Sequence, residues 1–287
     1  MGIIDWLFGK KARTTDELCG FLKTGKNELL SAKQDYREFR IPKRNGGSRI
    51  IHSPSDSLKK LQKLICYRLL NALPAHFACK GFNSPHSIVD NARDHAGKAV
   101  LIKIDICNFF KSTGEERIYS FFKQIGWDTE TSELLTRLTT FKGFLPQGAP
   151  TSPVLSNLVN YRLDARLYGM AKSLDANYTR YADDITFSLN EDNDYKIKQI
   201  LSLSRKILLD MGYKPNKKKI RVLRQHQQQK VTGLVVNQKV QIPRETRRWL
   251  RAVRHRLKKT GTCTLSLEQL QGWEAYEHQV KSLSEKR

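Results

Sequence analysis

The residues best suited to chemistry are three aspartates in two separate stretches. Asp183 and Asp184 are adjacent within residues 177–188, and β-favouring residues flank them on both sides. This pattern predicts a hairpin with the two carboxylates at or near its tip. An ordinary solvated turn is the alternative, because Asp is a good turn residue that bonds to nearby backbone.

Asp105 weakens that alternative. It interrupts the apolar, β-branched run 100–107, which is typical of a strand covered on both faces. A buried carboxylate is costly unless it is paired or bound to a metal, although a strand-end Asp that caps the next turn remains open. Asp105 beside Asp183 and Asp184 would require a cation, and oxygen ligands without a Cys/His set favour Mg²⁺. Two Mg²⁺ ions there can activate a 3′ hydroxyl and stabilise a leaving pyrophosphate.

The overall charge indicates the class of partner. The 287 residues include 51 Lys and Arg against 28 Asp and Glu, a formal charge of +23. Such an excess predicts a polyanion, with nucleic acid first, and a basic surface without a ligand is the alternative. Five scattered cysteines without metal-type spacing predict reduced thiols and a cytoplasmic protein. No apolar run approaches a membrane span, so we expect no membrane partner.

A basic hairpin is predicted upstream of the aspartates. Two short strands flank the turn at residues 45–47, and the hairpin carries Arg40, Lys43, Arg44 and Arg49. Guanidinium groups bind phosphate oxygens bidentately, so this hairpin could clamp a triphosphate, with a solvated basic loop as the alternative. Among these residues, Arg49 is the favoured triphosphate ligand because it lies within the second strand.

Two further stretches suit nucleotide contacts. Phe110 follows the Asp105 strand, where a bulky ring could exclude a ribose 2′ hydroxyl, or could be an ordinary core residue. Gly and Pro in residues 143–153 predict a loop that holds Gln147 and leads into a helix capped at Ser152. Free N–H groups at that helix start could hold an anion or a substrate edge.

The remaining pattern places basic and polar side chains on predicted elements. A helix over residues 14–33 carries no chemistry, whereas one from Ser87 would put Asn91 and His95 on a shared face. One lysine of residues 217–219 could act as a general acid.

A strand over 231–237 contains Gly233, and a helix over 243–259 bears arginines that could follow a phosphate backbone. These arginines are Arg247, Arg248, Arg251, Arg254 and Arg256.

In this order and spacing the elements resemble the motif series of reverse transcriptases. The series is the basic hairpin, the Asp105 strand, residues 145–153, Tyr181-Ala182-Asp183-Asp184, the lysine turn and the Gly233 strand. Two short elements resemble those of retron reverse transcriptases in particular. They are Asn91-Ala92-Arg93-Asp94-His95 and Val231-Thr232-Gly233.

The resemblance implies an α+β right-hand polymerase with fingers, a palm of antiparallel sheet plus helices, and a short helical thumb. The implied boundaries are a helical extension over 1–35, fingers and palm over 36–230, and primer grip and thumb over 231–287. Catalytic residues would be Asp105, Asp183, Asp184 and Lys219, with Lys218 a rival for the last, and the backbone of Ile106 would add a metal contact. Arg49, Lys43, Phe110 and Gln147 would bind the dNTP; Thr232, Gly233 and Leu234 would form the primer grip; and Asn91, His95, Val231, Arg247, Arg248, Arg251 and Arg254 would contact RNA.

Retron enzymes copy part of a cognate structured RNA from an internal guanosine 2′ hydroxyl, which gives a branched RNA-linked DNA. The resemblance therefore implies a non-coding RNA of msr-msd type, dNTPs, two Mg²⁺ ions, an effector or toxin protein and a role in anti-phage defence. No acid cluster after Asn237 suggests an RNase H domain, so a separate RNase H is expected. The alternatives are another bacterial reverse transcriptase, of intron or defence type, and an RNA-binding scaffold that restrains a toxin.

Overall fold

The computed structural model describes residues 12–43, 46–82 and 86–285. Arg44 and Asn45 of the predicted basic turn lie outside this part of the chain, as do residues 1–11 of the predicted N-terminal extension. The chain divides into two compact units, each built from two separate stretches. The first unit comprises residues 12–76 and Cys107–Leu163, and the second comprises Phe77–Ile106 and residues 164–285.

The first unit combines helices with one antiparallel hairpin. Its core includes Leu22, Ile65, Phe122 and Leu135, all fully buried. The elements are α1 (Thr15–Leu22), α2 (Lys26–Ser31), β1 (Tyr36–Pro42), β2 (Ser48–Pro54), α3 (Asp56–Arg68), α5 (Glu115–Gln124), α6 (Thr129–Thr139) and α7 (Thr151–Leu158), with a 3₁₀ turn at Leu70–Ala72.

The second unit is built on a four-stranded antiparallel sheet with the order β4-β5-β3-β6. Its elements are α4 (Ile88–Arg93), β3 (Val100–Asp105), α8 (Tyr161–Ser173, in this unit from Asp164 on), β4 (Ala176–Tyr181), β5 (Asp184–Leu189), α9 (Asp194–Asp210), β6 (Arg221–Arg224), β7 (Lys230–Val231), β8 (Leu234–Val235), α10 (Arg244–Thr260) and α11 (Leu267–Glu285). A 3₁₀ turn, Lys217–Lys219, precedes β6.

The central strand β3 is covered on both faces, as its apolar run predicts. Val100, Leu101 and Ile102 have no exposed surface, and Ile104 is 2% exposed. β3 pairs with β5 on one side and with β6 on the other. The strand therefore carries Asp105 at the end of an enclosed segment of the sheet.

Some predicted elements differ in the structure. The helix predicted over 14–33 is two helices, because Lys23 takes a left-handed φ of 49° after α1. The helix expected to begin at Ser152 begins at Thr151, and the Ser152 hydroxyl donates to the Pro146 carbonyl at 2.6 Å. The strand predicted over 231–237 is the β7–β8 hairpin. Local pattern could not place this turn, since its first residue, Thr232, is β-branched and disfavours a positive φ.

No helix in the part of the chain that the structure describes is long and apolar enough to cross a membrane.

Candidate active site

The two adjacent aspartates lie at a tight turn, as predicted. β4 ends at Tyr181 and β5 begins at Asp184, and these two residues pair, so the loop contains only Ala182 and Asp183. Ala182 has a φ of 55°, a left-handed conformation that residues other than glycine seldom adopt. The turn is therefore a constrained one, which is typical of functional sites.

The third aspartate meets this turn through the sheet. Asp105 is the last residue of β3 and stands directly opposite Asp184 on β5. The next residue, Ile106, donates its N–H to the Asp183 carbonyl at 3.0 Å. Strand pairing thus brings together the three carboxylates that the sequence separates by 78 positions, from Asp105 to Asp183.

The carboxylates affect one another electrostatically. Burial raises the pKa of the Asp183 carboxyl, and the negative charges of Asp184 and Asp105 raise it further. Additional positive charge near Asp183 would therefore be favourable.

A lysine neutralises the buried member of the set. Lys219 Nζ donates to Asp105 Oδ2 at 2.8 Å, and Asn216 Nδ2 donates to Asp105 Oδ1 at 3.2 Å. The bond to Asp105 raises the pKa of the Lys219 ammonium, so the lysine is held protonated. Of the two rival lysines, Lys219 is the one placed at the aspartates, whereas the Lys218 carbonyl accepts a bond from Arg221.

The donor set fits a hard divalent cation in its chemistry. Asp105, Asp183 and Asp184 offer only oxygen, and they repel one another in the absence of added positive charge. Among residues 12–43, 46–82 and 86–285, however, no three His, Cys, Asp or Glu side chains are grouped so as to hold a metal ion. The Asp105 carboxylate instead engages the Lys219 ammonium, which supplies positive charge at the same place.

A cavity of about 240 Å³ opens beside the carboxylates. Its lining includes Asp105 and Asp184 together with three cationic side chains, Lys103, Lys219 and Arg221. A space that combines carboxylates with cations suits a metal-bound phosphate group.

The loop that holds Gln147 is fixed on β2 within the first unit. The Gln147 carbonyl accepts the His52 N–H at 2.8 Å, and Gly148 has a φ of 126°. A Cβ at Gly148 would lie 2.7 Å from the His52 carbonyl oxygen, so only glycine allows this contact. Arg49, on the same strand β2, is exposed and pairs with Ile41 of β1.

The other predicted nucleotide contacts also belong to the first unit. Phe110 is half-buried and packs on the core of the unit, where its ring meets Phe109 edge-on. Lys43 is exposed, and its backbone closes the hairpin by bonding with Gly46 and Gly47. These positions remain predictions for dNTP binding, since Phe110 also satisfies the core alternative.

Asn91 and His95 do not share a helix face, because α4 ends at Arg93. His95 is fully buried, with Nδ1 2.7 Å from the Ser188 hydroxyl and Nε2 2.8 Å from the Thr179 hydroxyl. Burial lowers the pKa of its imidazole to about 3, so the ring is neutral and ties β4 to β5. This enclosure argues against the predicted contact of His95 with RNA.

The two retron-like elements meet each other. Thr232 donates its hydroxyl to the Ile88 carbonyl at 3.0 Å, and Asn91 Nδ2 lies 3.5 Å from the same hydroxyl. Thr232 and Gly233, at φ values of 46° and 85°, form the two-residue turn of the β7–β8 hairpin. Asn91 and Val231 are buried, which argues against RNA contacts for them, and Leu234 is buried beside Val231.

The arginines of α10 separate into two groups. Arg247, Arg248 and Arg251 are exposed. Arg254 is half-buried and donates to Glu274 at 3.1 Å and to Glu277 at 2.6 Å, both on α11. Arg254 is therefore committed to packing between two helices, which argues against the predicted RNA contact for that residue.

Sequence reasoning missed Arg180 and Asp164, which are fully buried and bond to each other next to the Ala182–Asp183 turn. The available signal was a charged residue inside β4, one position before the Tyr181-Ala182-Asp183-Asp184 motif. Asp164 carried no signal of its own, because its partner is 16 residues away.

Comparison with known proteins now identifies the family. Residues 41–236 match the family model described as reverse transcriptase (RNA-dependent DNA polymerase). The retron Ec86 reverse transcriptase of Escherichia coli is 35% identical over 264 residues, which cover 90% of this chain and 81% of that protein. The chain belongs to the retron reverse transcriptases.

Other members of the family are longer. The retron Mx162 reverse transcriptase of Myxococcus xanthus is 37% identical over 277 residues, which cover 85% of this chain and 57% of that protein. The retron Mx65 enzyme of the same organism is 34% identical and is covered to 60% of its length. The chain thus spans somewhat more than half the length of these two retron reverse transcriptases.

A solved structure supports the fold. Telomerase from Candida albicans, in complex with a TWJ fragment of telomeric RNA, superposes with a TM-score of 0.55 at 12% identity, covering 79% of this chain and 50% of that one. At this identity the likeness concerns the fold alone. It confirms the predicted α+β polymerase class of this retron family member.

Proposed function

We propose that the chain is an RNA-directed DNA polymerase that copies part of a cognate structured RNA into single-stranded DNA. The observation that carries this proposal is the register of Asp105 against Asp184, with Asp183 in the adjoining turn, in a member of the retron reverse transcriptase family. In the proposed division, residues 36–230 are fingers and palm, 231–287 are primer grip and thumb, and 1–35 are an extension.

Asp105, Asp183 and Asp184, with the backbone of Ile106, are the residues that would hold two Mg²⁺ ions. When bound, such ions activate the attacking hydroxyl and stabilise the leaving pyrophosphate. The raised pKa of Asp183 is consistent with this assignment, because burial and then the charges of Asp184 and Asp105 disfavour its ionised form, which a bound cation would stabilise.

The chain's own residues bind the substrate and supply protons. Lys219 stays protonated beside Asp105 and would give a proton to the pyrophosphate. Gln147, Arg49, Lys43 and Phe110 would hold the dNTP, with Phe110 against the ribose. Thr232, Gly233 and Leu234 would support the primer end, and the exposed arginines 247, 248 and 251 would follow the RNA backbone.

The proposed primer is the 2′ hydroxyl of an internal guanosine in a non-coding RNA of msr-msd type, and the product is a branched RNA–DNA. A separate RNase H would trim the template, and an effector protein would act with the product in anti-phage defence in the cytoplasm. Membership of the retron family supports these assignments.

The test uses the purified protein with the RNA encoded beside its gene, dNTPs and Mg²⁺. We expect a short DNA that stays covalently joined to RNA under denaturing conditions and that loses its RNA portion to ribonuclease. A DNA product with a free 5′ end would instead favour an intron-type reverse transcriptase. RNA binding without DNA synthesis would favour the scaffold that restrains a toxin.

A further inference from the structure

A fully buried ion pair lies next to the catalytic turn. Arg180, near the end of β4, donates from Nε to Asp164 Oδ1 at 2.7 Å and from Nη2 to Asp164 Oδ2 at 2.6 Å. Neither side chain has exposed surface. Tyr178, two residues earlier on the same face of β4, donates its hydroxyl to Asp164 Oδ1 at 2.6 Å. The carboxylate is therefore held by three donors.

The guanidinium also reaches the turn itself. Arg180 Nη1 donates to the Ala182 carbonyl at 3.1 Å. Because the two bonds to Asp164 fix the plane of the guanidinium, they also fix the direction of this third N–H. The Asp183 carbonyl accepts the Ile106 N–H at 3.0 Å. Both carbonyl oxygens of the two-residue turn are thus anchored.

Backbone packing confines the turn from another side. A Cβ at Gly81 would lie 3.0 Å from the Ala182 nitrogen and 3.2 Å from the Tyr181 Cα. Arg180 is held on the same side, since its N–H donates to the Ala78 carbonyl at 2.9 Å. The left-handed φ of 55° at Ala182 is a conformation that persists only when the surroundings impose it.

We propose that Asp164 and Arg180 are positioning residues for nucleotidyl transfer. Their ion pair aims the guanidinium at the Ala182 carbonyl, and this bond sets where the Asp183 carboxylate stands. The inference rests on the proposed catalytic role of Asp183. Stability alone does not account for the pair, because buried ion pairs seldom stabilise more than packed apolar residues of similar volume, whereas they can specify one conformation.

The first test removes the network as a whole. The triple variant Asp164→Leu, Tyr178→Phe and Arg180→Met leaves no unpaired buried charge, and such replacements are often tolerated. We expect cooperative thermal unfolding to persist, DNA synthesis to fall at least tenfold and the Mg²⁺ concentration for half-maximal rate to rise several-fold. Hydrogen exchange at the Ile106 amide should accelerate, because its acceptor is in the turn. A folded triple variant with the wild-type rate, Mg²⁺ dependence and exchange would overturn the proposal.

A second variant covers the case in which the triple variant does not fold. Arg180→Lys keeps the charge opposite Asp164, but an ammonium lacks the planar fork that also reaches the Ala182 carbonyl. We expect the same direction of change in rate, Mg²⁺ dependence and Ile106 exchange. Wild-type behaviour of this variant overturns the proposal by itself.

Two controls separate the possible failures. Gln229 is fully buried in the same unit and donates to the Ala99 and Leu223 carbonyls, so Gln229→Leu should lower the melting temperature without shifting the Mg²⁺ dependence. Asp183→Asn tests the underlying assignment. If this variant still makes DNA, the proposed active site fails; if it is inactive while both network variants behave as wild type, only the positioning role fails.

Discussion

At the scale of single residues, the site is a balance of charges that burial makes costly. Asp105 is buried at the end of β3 and is compensated by Lys219, whereas Asp183 has a pKa raised by burial and by its two acidic neighbours. An aspartate with a raised pKa destabilises the folded state at neutral pH, and this penalty disappears as the pH falls through that pKa. The role proposed for Asp183 and the stability of the fold are therefore opposed at this residue.

Replacing Asp183 by Asn should separate these two effects. We expect Asp183→Asn to reduce DNA synthesis by about 1000-fold or more, because losing the proposed metal ligand would remove several kcal/mol of transition-state stabilisation. In metal-free buffer at pH 7 the variant should melt at a higher temperature than wild type, and RNA affinity should be nearly unchanged. Primer extension, calorimetry and filter binding measure the three quantities. As a control, Asp175→Asn changes a largely exposed carboxylate and should leave synthesis intact.

Phe110 offers a test of sugar selection. Phe110→Ala should raise incorporation of rNTPs relative to dNTPs, since the ring would no longer exclude the 2′ hydroxyl. Truncating a fully buried Phe to Ala costs about 3–5 kcal/mol of stability, and the loss here should be smaller because Phe110 is half-buried. Phe121 packs half-buried on the same core, so Phe121→Ala is a matched control for stability. An unchanged sugar preference in Phe110→Ala would mean that Phe110 is only a core residue.

At the scale of elements, strand pairing between distant parts of the chain positions the aspartates. β3, β5 and the two-residue turn bring the aspartates together, while α4 and the residues after it brace two hairpins: Thr232 bonds to the Ile88 carbonyl, and His95 links β4 to β5. In the retron-like Asn91–His95 element, the buried side chains of Asn91 and His95 thus support these hairpins, which argues against direct RNA contacts for those two residues.

The brace predicts a specific pH dependence. The His95 imidazole has a pKa of about 3 in the folded state against 6.5 ordinarily, so between these pH values only the unfolded state takes up its proton. Wild-type stability should therefore fall on acidification below about pH 6.5, with a slope of up to about 1.4 kcal/mol per pH unit. His95→Gln should lack this component. Urea unfolding at pH 6.5 and pH 5 measures the free energy of unfolding of both proteins. An equal loss of stability between these pH values in wild type and His95→Gln would refute a neutral buried His95.

At the scale of the whole molecule, the excess of 51 basic over 28 acidic residues favours a nucleic-acid partner, but the basic residues are not equivalent. Some are internal supports, such as Arg180 with Asp164 and Arg254 with Glu277. Others are exposed along one helix, including Arg247, Arg248 and Arg251. Exposed arginines of this kind are available to a phosphate backbone, whereas the buried Arg180 is not.

The salt dependence of RNA binding should distinguish these groups. The triple variant Arg247→Gln, Arg248→Gln and Arg251→Gln should weaken binding of any RNA sequence and reduce the slope of log affinity against log salt by about 0.7 per lost phosphate contact. Arg254→Gln should lower the melting temperature instead, because Glu274 and Glu277 lose their partner. Titrations between low and moderate salt measure the slopes. Equal slopes in wild type and the triple variant would exclude these three arginines from the RNA interface.

The sequence alone determined the hairpin at Asp183, the buried strand that ends at Asp105 and the basic character of the molecule, because each follows from local propensity, periodicity or composition. Tertiary structure decided what depends on distant partners. It enclosed His95 between two hydroxyls, turned 231–235 into a hairpin, took Arg254 out of the basic surface and placed Arg180 on Asp164. Burial and pairing between remote residues leave no periodic trace in a chain, so only folding decided which polar side chains are buried in bonds to other residues and which stay exposed.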